Sequence, residues 1–223
     1  MSPRINASSA ADGRDEKSLV ARTRQLLKPD SDVGRSFAEL AENLGSVGWP
    51  IGSVSITGPE AGAGRSTVCI GLGAALAAEG KKVTIVDCNL DRPHLHHCFG
   101  RPNFTGLTSA LEGERGLEGY GFEVAPNLRV VPTGPILPGW RILASPSKLV
   151  EAIRSLEEKR DVILLDAPVA DGVLAAPNLW GSFDGVLLVV HATRTPKGVA
   201  RGLTDALLDA RFNLFGVVLN GYV

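Results

Sequence analysis

A run of small residues supplies the first candidate for chemistry. Residues 58–67 read GPEAGAGRST and lie between a β-like stretch, residues 53–57, and an Ala-rich helical pattern, residues 66–79. A loop of this kind, placed between a strand and a helix, lets backbone N–H groups close around phosphate oxygens, and the helix N-terminus adds the positive end of its dipole. The pattern therefore predicts a phosphate-binding loop formed by Gly62, Ala63, Gly64, Arg65, Ser66 and Thr67.

Hydroxyl and carboxylate side chains around this loop indicate a magnesium nucleotide. Ser66 would present its hydroxyl to Mg²⁺, and Thr67 would reach the α-phosphate. Asp87 closes the apolar stretch KVTIVD, and Asp166 closes DVILLD. The carboxyl ends of parallel strands face the ligand crevice, where an Asp binds Mg²⁺ or orients a water or hydroxyl beside the γ-phosphate. We therefore take Asp87 and Asp166 as catalytic candidates, and Ser66, Asp87 and Asp166 as metal ligands.

Each of these signals has a plainer interpretation. The loop resembles an ordinary glycine-rich turn between a strand and a helix, and a single Asp after a strand is often a helix cap. The Ser-Thr pair and two acidic strand ends beside one loop favour the functional interpretation.

The elements that position these residues alternate along the chain. Continuous Val, Ile and Leu stretches separated by helical patterns indicate a mainly parallel sheet with helices on both faces. The fold class is therefore α/β, a doubly wound P-loop nucleoside triphosphatase fold. We expect one nucleotide-binding domain over residues 34–223, preceded by a polar tail or linker over residues 1–33. The predicted strands are residues 53–57, 82–87, 128–132, 161–166, 185–190 and 214–219.

Composition excludes several classes of protein. With 44% hydrophobic and 21% charged residues the chain is globular, and a net charge of −1 gives no electrostatic footprint for nucleic acid. The apolar runs are strand-sized, and the polar N-terminus lacks the core of a signal peptide. Three unpatterned cysteines indicate free thiols in a reducing compartment. We therefore expect a cytoplasmic protein, for which any membrane association must come through a partner.

A second, smaller cluster could hold a metal. His94, His96, His97 and Cys98 lie within five residues, and positions 94 and 98 would share a helix face. No distant matching ligands appear, so a polar turn and helix start after Pro93 is the favoured interpretation.

From about Arg35 to Tyr222 the chain resembles the cytoplasmic domain of bacterial tyrosine kinases (BY-kinases), which are relatives of the MinD/ParA ATPases. Three segments carry the main motifs, namely SITGPEAGAGRST (Walker A), VTIVDCNLDRPHLHHCFG (the second acidic motif) and DVILLDAP (Walker B). Further similar segments are PNFTGLTSALEG, NLRVVPTGPILPG, DGVLLVVHATRTPKG and FGVVLNGYV.

The resemblance implies a role in exopolysaccharide or capsule synthesis and export. It implies ATP or ADP with Mg²⁺ as the cofactor, and Asn220 falls where the family's Asn contacts the adenine. The implied partner is the cytoplasmic segment of a membrane polysaccharide co-polymerase (Wzz-like), which would recruit the protein to the inner face of the plasma membrane.

The departures from the family pattern concern catalysis. Arg65 replaces the lysine of the phosphate loop, and a planar guanidinium is wider than an ammonium. Asn89 replaces a second Asp at a catalytic position, and an amide cannot accept a tyrosine proton as a carboxylate does. Asp91 stands where the motif normally has Arg.

Assembly and substrate residues also differ. The family's self-association segment Glu-x-x-Arg-x-x-Arg reads Arg35, Ala38 and Ala41 here, so we expect no family-type ring, whereas a homodimer or a monomer stays compatible. The C-terminal tyrosine cluster is missing, since the sequence contains only Tyr120 and Tyr222.

Three functions follow from these observations. The first is a BY-kinase-like protein with weakened or lost tyrosine kinase activity. The second is an active ATP-dependent protein-tyrosine autokinase that tolerates Arg65. The third is a MinD/ParA-type positioning ATPase, which is disfavoured because Glu60 stands where that class has its signature lysine.

Overall fold

One seven-stranded sheet organises the part of the chain that the structure describes. The computed structural model describes residues 9–46, 48, 50–113, 115–136 and 146–221. The strand order is β3-β4-β2-β5-β1-β6-β7, and every neighbouring pair is parallel except β3 and β4. The doubly wound α/β fold is therefore confirmed. The strands are β1 (Ser53–Thr57), β2 (Val83–Asp87), β3 (Phe122–Ala125), β4 (Leu128–Val131), β5 (Val162–Asp166), β6 (Gly185–His191) and β7 (Leu214–Asn220).

The central strands are buried along their whole length. In β1, β2 and β5 every residue is buried, which explains the nearly continuous apolar run of β5, whereas β1 (SVSIT) also buries two serines and a threonine. The short strand β3 was not predicted from the sequence. It lies at the edge of the sheet, is partly exposed and returns antiparallel to β4, so it lacks the apolar run that marks the central strands.

Two layers of helices cover the sheet. The first apolar cluster joins the sheet to α1, α2 and α3, and the second joins its other face to α5 through α9. Helix α3 follows β1 and packs closely under α2, because Gly71 has no side chain where the Phe37 ring lies. The helices are α1 (Ser9–Leu26), α2 (Asp32–Gly45), α3 (Arg65–Ala78), α4 (Leu95–Cys98), α5 (Leu107–Glu112), α6 (Pro146–Glu157), α7 (Ala170–Leu174), α8 (Pro177–Trp180) and α9 (Lys197–Asp209).

The N-terminal stretch contains more helix than the sequence pattern suggested. A polar tail or linker was expected over residues 1–33, and the structure has the helix α1 there, from Ser9 to Leu26. Leu19 and Leu26 pack against the first apolar cluster, and Thr23 is buried beside them. Apolar contacts on this one face hold the helix against α3 and α4 although its other faces are polar. The division of the chain at residue 33 remains a prediction.

Candidate functional site

The loop between β1 and α3 has the backbone conformation of a phosphate loop. Gly62 and Gly64 both have positive φ angles, 80° and 103°, which glycine adopts without the cost that a side chain would add. Gly64 is the N-cap of the 14-residue helix α3, so the positive end of the helix dipole points into the loop. A Cβ atom at position 64 would lie 1.9 Å from Asn220 Nδ2, so the loop also requires glycine there for space.

Two side chains from other elements hold the carbonyl groups of this loop. Asn220, at the end of β7, donates a hydrogen bond from Nδ2 to the Ala63 carbonyl at 3.0 Å. Arg194, in the turn after β6, donates one from Nη2 to the Gly62 carbonyl. Because a trans peptide places C=O and N–H on opposite sides, the Asn220 contact turns the N–H of Gly64 away from β7.

A cavity of about 340 Å³ opens in front of the loop. Its walls combine residues of the loop with Asn89, Arg92 and His94 from the segment after β2, and this concave site with a few polar groups suits a nucleotide's phosphates. A larger cavity of about 960 Å³ lies between α6 and α8, away from the phosphate loop and both acidic strand ends. The smaller cavity is lined by Ala61, Gly62, Gly64, Arg65, Ser66, Thr67, Asn89, Arg92, Pro93 and His94.

Ser66 and Asp166 meet as the sequence predicts. The Ser66 hydroxyl donates to Asp166 Oδ2 at 2.5 Å, and Asp166 is 1% exposed. Burial raises the pKa of Asp166, while the Ser66 hydrogen bond and the charge of Arg65 lower it. Asp166 Oδ1 is buried and makes no hydrogen bond in the structure. A hydroxyl, a carboxylate and an unsatisfied buried oxygen form a donor set that fits Mg²⁺ and its water ligands.

Asp87 lies beside Asp166 but serves a second purpose. The two residues are register partners on the neighbouring strands β2 and β5. Asp87 Oδ2 accepts the backbone N–H groups of His94 and Leu95, each at 3.0 Å, and thereby caps the start of α4. Burial and the Asp166 carboxylate raise the pKa of Asp87, while these backbone hydrogen bonds lower it. Asp87 therefore also holds the start of α4 from a distance in the sequence, while the N-cap residue of that helix is His94.

Asn89 is folded into the turn that follows Asp87. Its Nδ2 donates to the Arg92 carbonyl at 3.1 Å, and its N–H donates to Asp87 Oδ1 at 3.2 Å. The side chain is 8% exposed and lines the phosphate cavity. It thus lies beside the cavity with its amide engaged in holding the turn, and its catalytic position remains a prediction.

Arg65 turns toward the end of β5. Its guanidinium is buried and donates from Nη1 to the carbonyl of Ala167, the residue that follows Asp166. The charge lies near enough to Asp166 to lower the pKa of that carboxyl. Part of the side chain still lines the cavity, so the structure places Arg65 between the phosphate loop and the Walker B strand.

Sequence reasoning missed two arginines near the loop. Arg92 lines the cavity with an exposed side chain, and Arg194 contacts the loop from the turn after β6. Arg92 follows the second acidic motif, and Arg194 follows a predicted strand whose carboxyl end faces the crevice. Their places in the sequence could have indicated that these two arginines lie near the loop. However, neither residue type nor spacing distinguishes them from other surface arginines.

The histidine cluster forms the predicted turn and helix start, since α4 begins at Leu95. The His96 and His97 rings lie 3.9 Å apart between centroids, and those of His94 and His97 lie 6.3 Å apart. Across the described residues no three His, Cys, Asp or Glu side chains converge to hold a metal ion. The same part of the chain contains no helix long and apolar enough to cross a membrane.

A known protein family matches the part of the chain that forms this sheet, loop and pair of acidic strand ends. Residues 54–222 match the model of the CobQ/CobB/MinD/ParA nucleotide binding domain. The chain belongs to this family. The match begins in β1 and includes the phosphate loop and both acidic strand ends, so the fold and the loop that the sequence predicts are those of the family.

Within the family, tyrosine-protein kinases are among the similar proteins. The chain is 29% identical over 211 residues to the tyrosine-protein kinase YwqD of Bacillus subtilis, which covers 93% of this chain and 87% of YwqD. It is 33% identical over 170 residues to the putative tyrosine-protein kinase EpsB of Ralstonia nicotianae. That match spans 75% of this chain and 22% of the much longer EpsB.

Solved structures give the same result. The chimerical protein CapA2B2 superimposes with a TM-score of 0.74 at 27% identity, over 86% of each chain. MinD of Pyrococcus horikoshii, solved as a complex with Mg-ADP, has a TM-score of 0.63 at 30% identity, over 77% of this chain and 70% of MinD. The predicted resemblance to BY-kinases and MinD is therefore confirmed at the level of family and fold.

Proposed function

We propose that this chain is a BY-kinase-like nucleotide-binding protein of exopolysaccharide or capsule synthesis and export, with weakened or lost tyrosine kinase activity. One observation carries the proposal. The phosphate loop is intact in its glycines and its Ser66–Asp166 contact, whereas its Arg65 guanidinium is directed to the Ala167 carbonyl. The site therefore retains the parts that hold a nucleotide and alters the part that would act on the γ-phosphate.

In nucleotide binding, each part of the site would have its own role. The backbone of Gly62–Thr67 and the N-terminus of α3 would hold the phosphates of ATP or ADP. Ser66 and the two buried carboxylates, Asp87 and Asp166, would hold Mg²⁺, which supplies charge neutralisation at the phosphates. Asn220 would contact the adenine from β7 while its Nδ2 holds the loop.

The catalytic half rests on two side chains. A lysine ammonium can follow the β- and γ-phosphates as a compact charge, whereas the Arg65 guanidinium is planar and already donates to the protein. Loss of well-placed charge stabilisation costs about 10²–10³ in rate. Asn89 cannot act as a general base, and loss of such a base typically costs about 10²–10⁴. The two losses need not multiply, since both act on one transition state.

The partner and location follow the same reasoning. The similarity to YwqD and to the chimerical CapA2B2 supports a BY-kinase type of assembly. We therefore assign to this chain a membrane co-polymerase (Wzz-like) as the partner. Its cytoplasmic segment would recruit the chain to the inner face of the plasma membrane.

An active tyrosine autokinase is the second candidate, supported by the kinase names of the relatives. Tyr120 is the tyrosine that the structure describes, and its half-buried ring packs against the second apolar cluster. Tyr222 lies outside the described residues. A positioning ATPase of the MinD/ParA type is disfavoured, because Glu60 stands at the position of that class's lysine. The Glu60 carboxylate accepts a hydrogen bond from the Thr195 hydroxyl at 3.4 Å.

Titration with nucleotide and a phosphotyrosine assay test the proposal together. Calorimetry of the purified chain with Mg·ADP and Mg·ATP should show binding, and incubation with Mg·ATP should give little or no phosphotyrosine. Hydrolysis or labelling near about 1 per second, typical of kinases, would contradict the loss of activity, and phosphotyrosine on the purified chain would establish the autokinase instead. Dimerisation that depends on ATP would favour the positioning ATPase.

A further inference from the structure

The turn after β6 is a rigid platform beside the phosphate loop. The hydroxyl of Thr195 accepts the N–H of His191 at 2.9 Å, and the carbonyl of His191 accepts the N–H of Thr195 at 3.0 Å. The N–H of Arg194 also reaches the His191 carbonyl, at 3.3 Å. These reciprocal bonds fix the backbone from which the Arg194 side chain extends.

The Arg194 guanidinium lies over Gly62. Its Nη2 donates to the Gly62 carbonyl, and a Cβ atom built at position 62 would lie 3.6 Å from Nη1 and 3.7 Å from Nη2. Gly62 has a φ angle of 80°, and because glycine has such wide backbone freedom, its peptide groups keep one orientation only where a contact from outside holds them. A charged donor on a carbonyl is one of the stronger supports available.

We propose that Arg194 is a positioning residue of the phosphate loop. It holds the Gly62 carbonyl outward and fixes the loop in its anion-binding shape, while Asn220 does the same for the neighbouring Ala63 carbonyl. One side chain from the turn after β6 and one from the end of β7 thus shape the loop that follows β1. The preferred ligand of that loop is the polyphosphate of a nucleoside diphosphate or triphosphate, so this inference rests on the proposed function.

Two measurements on the full chain test the assignment. Amide hydrogen exchange of Gly62–Ser66, followed by NMR without ligand, should be faster in Arg194→Ala than in the unmodified chain. Calorimetry with Mg·ADP should show about a tenfold loss of affinity, the size expected for one hydrogen bond from a charged group. Arg194→Lys keeps a charged donor and should restore most of both properties.

Arg201→Ala is the matched control, because it removes an exposed arginine from the adjacent helix α9. It should leave the exchange rates and the affinity unchanged. Unchanged exchange in Arg194→Ala would overturn the assignment, even with weaker ADP binding, because Arg194 would then act on the ligand directly. If the unmodified chain does not bind Mg·ADP, the proposed function fails, and the exchange comparison alone still decides the role of Arg194.

Discussion

At the scale of single residues, Arg65 separates binding from catalysis. The side chain occupies the lysine position of the phosphate loop but donates to the carbonyl of Ala167. Because the Arg65 guanidinium is always charged and is bonded to the protein, less of its positive charge is available to the phosphates of a nucleotide bound in the loop. Asn89, like Arg65, is bonded within the protein. Its amide holds the turn after β2, at a position where a carboxylate would be free to accept a proton.

Restoring these two residues should recover activity in order. Arg65→Lys should raise the affinity for Mg·ATP by roughly tenfold, because an ammonium adds a charged hydrogen bond to the phosphates. Adding Asn89→Asp should then raise ATP hydrolysis, because a carboxylate can accept a proton. Calorimetry and phosphate release measure the two effects. Equal affinities of the unmodified chain and Arg65→Lys would show that the guanidinium does the work of the lysine.

The pair Ser66 and Asp166 could be foreseen from residue type and place, and so could their neighbour Asp87. An acidic residue at the end of an apolar strand and a serine at the start of a helix are local signals. The contacts of Arg194 and Asn220 with the loop could not be foreseen in this way. They join residues more than 130 positions apart and depend on side-chain directions that no spacing encodes.

At the scale of elements, the contact between α2 and α3 depends on a missing side chain. A Cβ atom at Gly71 would lie 2.2 Å from Cε2 of Phe37, well inside van der Waals contact. The helix after the phosphate loop therefore has its outer face fixed by α2. The Ala-rich pattern of residues 66–79 predicted the helix α3, but it gave no sign that this glycine serves packing.

Gly71→Ala should destabilise the fold. The added methyl group must displace the Phe37 ring, and overpacking of this kind costs about 1–3 kcal/mol. Gly202→Ala in α9 is the control, because no atom lies within 4 Å of the added Cβ there. That change should be neutral or stabilise by about 0.5–1 kcal/mol, since alanine favours helix. Urea unfolding measures both, and equal stabilities would contradict the packing argument.

At the scale of the whole molecule, the outer surface of α2 bears on assembly. Arg35 forms an ion pair with Asp32 of its own helix and donates to the Asp30 carbonyl. Ala38 is half-buried, and Ala41 is buried against the core. At the three positions where the family has charged contacts, this chain therefore has one arginine that is already paired within its own chain and two alanines.

We predict that the chain forms no closed ring through residues 35–44. Sedimentation velocity, with and without Mg·ATP, should give a monomer or a dimer, because the charges needed between subunits are absent at these positions. Arg35→Glu serves as a comparison that restores the acidic position of the family motif. The prediction would be contradicted if the chain formed a ring and if Arg35→Glu or a substitution of Ala38 disrupted that ring.

The interlock of Gly64 with Asn220 has a consequence for the order in which the site forms. The phosphate loop is synthesised well before Asn220, which belongs to β7, a strand that pairs with β6 at the edge of the described sheet. Until that strand docks, the loop lacks the side chain that orients its central peptide. Nucleotide binding by a growing chain would therefore report the docking of β7 on β6, and bound ligand would mark molecules in which this strand is in place.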